Sequence, residues 1–201
     1  MRLATICTIQ VGYTARSRLE PVAAGGVAAL QLRDASADSE INLASLSQVQ
    51  LPDVPDRYLV GTGDVVFRSR GERTTAVTLE APKGLRAVAI SPLIILRPDP
   101  AIISPEYLAW AINLPSSQRL LDTNAQGGSM RMVPKAALDA LPIDVPDLAT
   151  QRRIVAAANL ARREAMLAAS LVEKTQHLAT LALADAAKRA SGQSPSERSK
   201  P

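Results

Sequence analysis

The chain has 201 residues, 47% of them hydrophobic, so it can bury the core of one domain that carries an appendage. Its 23 Lys and Arg against 19 Asp and Glu give a formal net charge of +4, which is compatible with a nucleic-acid partner. A single cysteine, Cys7, excludes an intramolecular disulfide and a cysteine-rich metal site.

The excess positive charge is concentrated toward the end of the chain. Residues 1–147 carry 14 Lys and Arg against 15 Asp and Glu, whereas residues 148–201 carry 9 against 4. A basic surface on the first part must therefore come from clustering. The first residues lack the apolar core of a signal peptide, and no apolar run approaches the ~20 residues of a membrane span. We therefore expect a cytoplasmic protein without a membrane partner.

Short apolar runs between turn residues predict β-strands through the first hundred residues. The first runs from Leu3 to Val11 and ends at Gly12, after which Tyr13 and Arg16 begin a polar loop. Residues 34–56 are acidic and polar, and they predict a long surface loop with one edge strand at 49–51. Further strands are predicted at residues 27–32, 58–60, 64–67, 74–79, 86–89 and 93–96.

The sharpest basic cluster in this part of the chain follows a predicted strand. Arg68, Arg70 and Arg73 lie between the apolar run 64–67 and a β-branched run. Arginines at a strand end can project into solvent, where they could bind an anionic ligand. The alternative for each of them is an ordinary solvated arginine.

Helices are predicted after Pro100, beginning with Ser104 as N-cap and Pro105 in the first turn. A glycine-hinged basic loop with Arg131 and Lys135 follows. Residues 141–146 then alternate apolar residues with proline or aspartate, which predicts a strand with one buried face at a sheet edge. Asp147 is placed to cap the next helix.

From Leu148 to about Ala190 there is no Pro or Gly and alanine dominates, which predicts one helix of ~65 Å. Small and apolar residues recur in steps of four and three, as in coiled coils, so we expect a second copy or a partner helix along this face. An isolated surface helix would leave both apolar faces in water. The residues predicted to meet the other helix are Ile154, Ala158, Ala161, Ala165, Ala168, Leu171, Val172 and Leu178.

Motifs for catalysis are missing. The sequence has no phosphate-binding loop, no dinucleotide-binding glycine motif and no Asn/Asp-Pro-Pro-Tyr/Phe methyltransferase loop. The one histidine, His177, lies on the long helix, where a catalytic triad is not expected. Asp53, Glu80 and Lys83 resemble a carboxylate nuclease pattern only faintly, because the spacing differs and Pro82 interrupts the strand. We therefore expect no metal, no cofactor and no catalytic residue in this chain.

The junction between domain and helix carries a family resemblance. Residues 138–154 read Leu-x-x-Leu-Pro-Ile-x-Val-Pro-x-Leu-x-x-Gln-Arg-Arg-Ile, which resembles the end of a target recognition domain and the start of the conserved helix in type I restriction-modification specificity subunits. Asp147 and Thr150 depart from that pattern, and both concern how the helix begins. Agreeing segments in the same order are Gly12-Tyr13, residues 63–71, residues 96–98, residues 103–108 and Gly128-Ser129.

The resemblance covers about residues 1–190 and implies an α+β fold. It would comprise a compact target recognition domain (residues 1–146), with a mixed or antiparallel sheet and short helices, and one long C-terminal coiled-coil helix (residues 147–190). Residues 191–201 are expected to be a disordered tail. Specificity subunits usually carry two such domains and two antiparallel helices in one chain. With one of each, this chain is expected to form a homodimer that reads a palindromic, bipartite site.

The implied function is a non-catalytic specificity subunit that binds double-stranded DNA and directs a modification methyltransferase, with or without a restriction subunit. S-adenosylmethionine would be bound by the methyltransferase. Two alternatives remain: a dimeric DNA-binding regulator without a methyltransferase partner, and a metal-dependent nuclease. Arginine is the residue that most often reads guanine, and lysine and arginine bind phosphates. The predicted DNA contacts are Tyr13, Arg16, Arg68, Arg70, Arg73, Arg131 and Lys135.

Overall fold

The computed structural model describes residues 1–16, 18–23, 25–35, 41–51, 53–71, 73–82, 84–128 and 130–192. The chain divides into two compact units, Met1–Val155 and Ala156–Pro201. Three parts of the chain named in the sequence analysis lie outside the described residues, namely Lys83, Ser129 and the tail from residue 193 onward.

The first unit contains two β-sheets. The five-stranded sheet has the order β1-β9-β6-β7-β3, and the four-stranded sheet has the order β4-β2-β8-β5. Both are mixed, since β3 runs parallel to β7 and β2 parallel to β8 while the other pairs are antiparallel. The strands are β1 Cys7–Val11, β2 Val27–Leu30, β3 Ile41–Asn42, β4 Gln48–Val49, β5 Leu59–Val60, β6 Val65–Arg68, β7 Thr75–Glu80, β8 Ala87–Ala89 and β9 Leu93–Pro98.

The central strands β6 and β9 are covered on both faces, which explains their continuous apolar runs. Phe67 and Ile94 face a core shared with the helices, whereas their neighbours Val66 and Leu93 face a core shared with the smaller sheet. The unit is thus layered as helices, large sheet and small sheet. The predicted α+β class with a mixed sheet is confirmed.

Three short helices pack in this unit: α1 Pro105–Asn113, α2 Pro115–Thr123 and α3 Lys135–Ala140. The predicted start of α1 is confirmed, because the Ser104 hydroxyl accepts a hydrogen bond from the Tyr107 N–H at 3.2 Å. Tyr107 is buried and its hydroxyl donates to the Asp144 carbonyl at 2.7 Å.

Several predicted strands differ in the structure. The first was predicted from Leu3, but residues Leu3–Thr5 form a 3-10 turn because the Thr5 hydroxyl and N–H both donate to the Arg2 carbonyl. The loop predicted over residues 34–56 contains β3, β4 and a further 3-10 turn. Its edge strand lies at Gln48–Val49 rather than at 49–51.

The strand predicted over residues 141–146 is an extended segment outside both sheets. Its alternation is real, since Leu141 and Ile143 are buried while Pro142 and Asp144 are exposed. The start of the chain pairs with it through hydrogen bonds from Leu3 N–H to the Leu141 carbonyl and from Ile143 N–H to the Met1 carbonyl. Proline lacks an N–H, so this pairing cannot continue as a regular ladder.

Helix α4 spans Leu148–Gly192, 45 residues or ~68 Å along its axis. Asp147 caps it as predicted: its carboxylate accepts from the Thr150 N–H at 2.9 Å and from the Thr150 hydroxyl at 2.7 Å. In the second unit its large apolar side chains are exposed. None of the described helices is both long and apolar enough to cross a membrane.

Candidate nucleic-acid interface

The ends of two strands bring separate predicted segments to one edge of the large sheet. Strands β1 and β6 both pair antiparallel with β9, so they run in the same direction. Val11 at the end of β1 pairs with Ile94, and Arg68 at the end of β6 pairs with Leu93. The loop that begins at Gly12 and the turn after Arg68 therefore leave the same edge of the sheet.

The glycine-hinged loop is joined to this turn through the backbone. Gln126 and Met132 exchange hydrogen bonds of 2.9 and 2.8 Å, which closes the loop on itself. Gly127 has φ +106°, a conformation that favours glycine. The Val133 N–H then donates to the Ser69 carbonyl at 2.8 Å, and Arg70 forms a β-bridge with Met132. The two basic segments are thus one surface, although about sixty residues separate them in sequence.

The junction of α1 and α2 fixes the start of β7 at the same edge. The Asn113 side-chain amide bonds both backbone groups of Ala76, donating to the carbonyl at 2.7 Å and accepting from the N–H at 2.9 Å. The Thr74 hydroxyl donates to the Gln118 side chain at 2.7 Å. These bonds hold the chain just after Arg73 and limit how far that turn can move.

Three of the predicted arginines are exposed on this surface: Arg70, Arg73 and Arg131. The Arg131 guanidinium donates to the Asp122 carbonyl at the end of α2, which orients it without neutralising its charge. Arg70 and Arg73 have no side-chain hydrogen bond or ion pair to any described residue. Their guanidinium groups can reach an external anion or base edge.

Two other predicted residues are already engaged. The half-buried Arg68 side chain donates to the Arg70 carbonyl at 3.2 Å and to the Ala35 carbonyl at 3.4 Å, so it shapes the turn that presents Arg70. Lys135 lies in the first turn of α3 rather than in the loop, and its ammonium pairs with the Asp139 carboxylate at 2.7 Å. Their contacts with DNA stay predictions.

Tyr13 and Arg16 occupy the loop after β1. The Tyr13 ring is half-buried and packs edge-on against Tyr58, with 5.4 Å between ring centroids. Its backbone bonds Ala89 and Ser91, which ties the start of the loop to the small sheet. Arg16 is exposed three residues further on. A packed ring is less available for base stacking than the exposed guanidinium.

Sequence reasoning missed Arg33. Because β2 runs parallel to β8, the turn after β2 lies beside the segment that enters β9, and the Ile90 N–H donates to the Leu30 carbonyl. The Arg33 side chain is 64% exposed there and lies 3.8 Å from the Asp34 carboxylate. No local motif marks Arg33, because its placement depends on a parallel pairing between distant strands. We call the four exposed arginines Arg33, Arg70, Arg73 and Arg131 the basic edge.

At the opposite end of the large sheet, the arginine side chain of Arg97 is bonded within the protein. Arg97 donates to the Arg57 and Leu59 carbonyls at 3.0 and 2.8 Å and lies 3.4 Å from the Asp64 carboxylate. Burial raises the pKa of Asp64, while the Gly61 N–H and Arg97 act in the opposite direction. Arg97 is therefore held by contacts within the protein, in contrast to the exposed Arg70 and Arg73 of the basic edge.

Carboxylates do not converge at either end among the described residues. No group of three or more His, Cys, Asp or Glu side chains there could hold a metal ion. Of the nuclease-like pattern, Asp53 and Glu80 are exposed, and Lys83 lies outside the described residues.

The residues predicted to meet a partner helix fall into two groups. Ile154 belongs to the first unit, which ends at Val155, and its side chain packs against the core of that unit. The others lie in the second unit, where Leu171, Val172 and Leu178 are more than half exposed. His177 is exposed.

No family model matches the sequence, and no curated protein matches it significantly. Solved structures do match. One is a chain from a structure on complex assembly and conformational transition of the type I R-M system, with a TM-score of 0.66 and 19% identity over 90% of this chain and 42% of that chain.

Two more are single subunits. The HsdS subunit from Thermoanaerobacter tengcongensis gives a TM-score of 0.56 at 19% identity, over 82% of this chain and 37% of that one. The type I restriction-modification S subunit from M. genitalium gives 0.54 at 12% identity, over 86% and 41%. The chain thus has the fold of type I specificity subunits, as its sequence predicted, and it spans about two fifths of the length of these structures.

Proposed function

We propose that the chain is a DNA-recognition subunit of a type I-like restriction-modification system and acts without catalysis of its own. The single observation that carries this proposal is the basic edge on a specificity-subunit fold. Four exposed arginines from three separate segments lie on one edge. Backbone bonds between residues 69–71 and 131–133 join two of these segments, and the bond from the Ile90 N–H to the Leu30 carbonyl holds the segment of Arg33. Exposed guanidinium groups suit bidentate recognition of guanine and binding of phosphates.

The chemistry of such a system would belong to a partner. A modification methyltransferase subunit would bind S-adenosylmethionine and transfer its methyl group, while this chain would select the target sequence on double-stranded DNA. Methylation of a nucleobase requires the target nucleotide to flip out of the duplex. The methyltransferase would therefore need a closed pocket that holds the flipped base. The recognition subunit needs only an exposed edge that fits a groove.

The exposed apolar side chains of α4 support a homodimer. Leu171, Val172 and Leu178 are more than half exposed, and the helix of a second copy would cover them. Two copies would supply two domains and two helices. Two-fold symmetry would then make the recognised site palindromic and split into two halves.

The first test is DNA binding by the purified chain. Duplexes selected from a random library should share a split palindrome, and Arg70→Ala with Arg73→Ala should reduce affinity for it. Removing two phosphate or base contacts should lower affinity roughly 10- to 100-fold and flatten the dependence on salt. Arg86→Ala is a matched control, since Arg86 is an exposed arginine that precedes β8, away from the basic edge. Equal losses in both variants would contradict the assignment of the basic edge.

The second test addresses the methyltransferase. Methylation mapped across the host genome, with and without the gene for this chain, should lose one split motif that matches the selected duplex. Unchanged methylation despite specific DNA binding would contradict the methyltransferase partnership and favour a dimeric regulator.

A further inference from the structure

Helix α4 presents a row of leucines that no described residue covers. Leu160, Leu167, Leu171 and Leu178 are 66–69% exposed. Their spacing of seven, four and seven residues keeps them on one face of a helix with ~3.6 residues per turn. Exposed leucines on one helix face are usually covered by another chain. We call positions 160, 164, 167, 171, 174 and 178 of this face the leucine row.

Two charged residues interrupt the leucine row at the same heptad spacing. Glu164 follows Leu160 by four residues, and Lys174 follows Leu171 by three, so both lie on the same face. In a parallel pair of identical helices in register, each charge would face its own copy. Two glutamates and two lysines would then repel each other at the helix–helix contact.

An antiparallel pair brings opposite charges together. When the two-fold axis is level with Ala169, Glu164 of each copy faces Lys174 of the other. The same register places Leu160 opposite Leu178 and Leu167 opposite Leu171, so every layer of the leucine row pairs leucine with leucine or glutamate with lysine. Antiparallel packing therefore satisfies the charges without exposing the leucines.

Neighbouring antiparallel registers lack this match. A shift of half a heptad toward the C-terminus would place Leu171 against Lys174 and Glu164 against Leu181. A shift of half a heptad the other way would place Glu164 against Leu167 and Lys174 against Ala157. Each shift would desolvate a charge against an apolar side chain, which is unfavourable.

We propose that α4 pairs with α4 of a second copy in the antiparallel register centred level with Ala169, with Glu164 of each copy facing Lys174 of the other. The inference rests on the homodimer of the proposed function. The family resemblance already implies antiparallel helices, so the inference adds the register and the contact residues. Of the contacts predicted from the sequence, Leu171 and Leu178 belong to this face, whereas Ala161, Ala165 and Ala168 each lie one residue further along, on the adjacent face. The symmetric contact contains two such glutamate–lysine pairs, one on each side of the axis.

A charge exchange tests the orientation. Glu164→Lys would place lysine against Lys174 at both symmetric positions, and the dissociation constant of the dimer should rise roughly tenfold or more. Lys174→Glu should do the same, and the double variant Glu164→Lys/Lys174→Glu should restore wild-type association. Sedimentation equilibrium of the full chain without DNA measures this. Glu173→Lys is the matched control, because Glu173 is exposed on another face of the helix and its replacement should change little.

Cysteine pairing tests the register. Leu160→Cys and Leu178→Cys should each give no cross-link alone under mild oxidation, because each would lie far from its own copy. A mixture of the two should give a disulfide-linked dimer, since paired core positions approach within disulfide distance. A mixture of Leu160→Cys with Leu171→Cys should remain uncross-linked. Native Cys7 is buried and should not contribute.

The outcomes of these experiments distinguish a failure of the proposed register from a failure of the proposed homodimer. A wild-type chain that sediments as a monomer at micromolar concentration would overturn both the register and the homodimer. A dimer that the double charge exchange fails to restore, or in which Leu178→Cys alone cross-links, would overturn the register and leave the homodimer standing. Neither result bears on the loss of DNA binding in the basic-edge variants.

Discussion

At the residue scale, burial decides what each chemically interesting side chain can do. Arg68 and Arg70 are two residues apart, yet the Arg68 guanidinium bonds two backbone carbonyls while Arg70 is exposed. Gly71 has φ +128°, and a Cβ there would lie 2.9 Å from Arg68 Nη2. The turn is therefore built around Arg68, and its neighbours are presented outward.

Cys7 gives a prediction at this scale. Burial raises the pKa of its thiol to about 12, so at pH 8 only about one folded molecule in ten thousand carries the thiolate. Iodoacetamide should label the native chain very slowly and label it fully in denaturant, as followed by mass spectrometry. Rapid labelling of the native protein at pH 8 would contradict the burial of this thiol.

The same pKa shift affects stability with a defined sign. Between pH 9.0 and about 12 the unfolded thiol loses its proton while the folded thiol keeps it. The unfolded state then binds fewer protons, so the free energy of unfolding should fall as pH rises through this window. Cys7→Ala should remove that part of the slope in denaturant titrations.

At the element scale, one buried side chain, Gln151, holds the start of α4. Gln151 is fully buried and makes three hydrogen bonds: it accepts from the Ser104 N–H at 2.9 Å and donates to the Ile102 and Pro146 carbonyls at 2.8 Å each. It therefore links the start of α1 to the start of α4.

Replacing Gln151 should be costly. Gln151→Leu would leave a backbone N–H and two carbonyls without partners, and the free energy of unfolding should fall by about 3 kcal/mol. Urea titration monitored by circular dichroism measures the change. Arg152→Ala, at the exposed neighbouring position, should change it little, so comparable losses would contradict the role of the Gln151 network.

Asp147 predicts a pH response at the helix start. Hydrogen bonds from the Thr150 hydroxyl and N–H hold the pKa of the Asp147 carboxyl below its ordinary value of 3.8. Its stabilising effect should be complete above that ordinary value and be lost as pH falls through the lowered pKa. Asp147→Ala should lower Tm at pH 7, whereas Asp147→Asn should retain a cap that does not titrate in acid. Identical acid profiles of wild type and Asp147→Asn would contradict this.

At the scale of the whole molecule, DNA affinity should depend on having two linked half-sites. If each copy binds one half, joining the two raises affinity over a single half-site by roughly 100-fold or more, through effective concentration. Fluorescence anisotropy with the selected split duplex and with a duplex carrying one scrambled half measures the ratio. Changing the gap by five base pairs rotates one half to the opposite face of the DNA and should cause a similar loss. Equal affinity for all three duplexes would argue against a dimer that reads both halves.

The sequence by itself determined the features that depend on neighbouring residues. The apolar runs located β6 and β9, the Ser104 and Asp147 caps located the starts of α1 and α4, and a stretch without Pro or Gly predicted the long helix. It also placed basic clusters at a strand end and in a glycine-hinged loop. These features follow from local backbone preference and short-range periodicity.

Only the tertiary structure decided which arginines are available and which segments share a surface. The pairing of residues 69–71 with 131–133, and of β2 with β8, joins parts of the chain that are distant in sequence. It brought Arg33 to the basic edge, turned Arg68 inward and paired Lys135 with Asp139. Long-range pairing depends on how whole layers pack, and packing is a property of three-dimensional contacts that local periodicity does not encode.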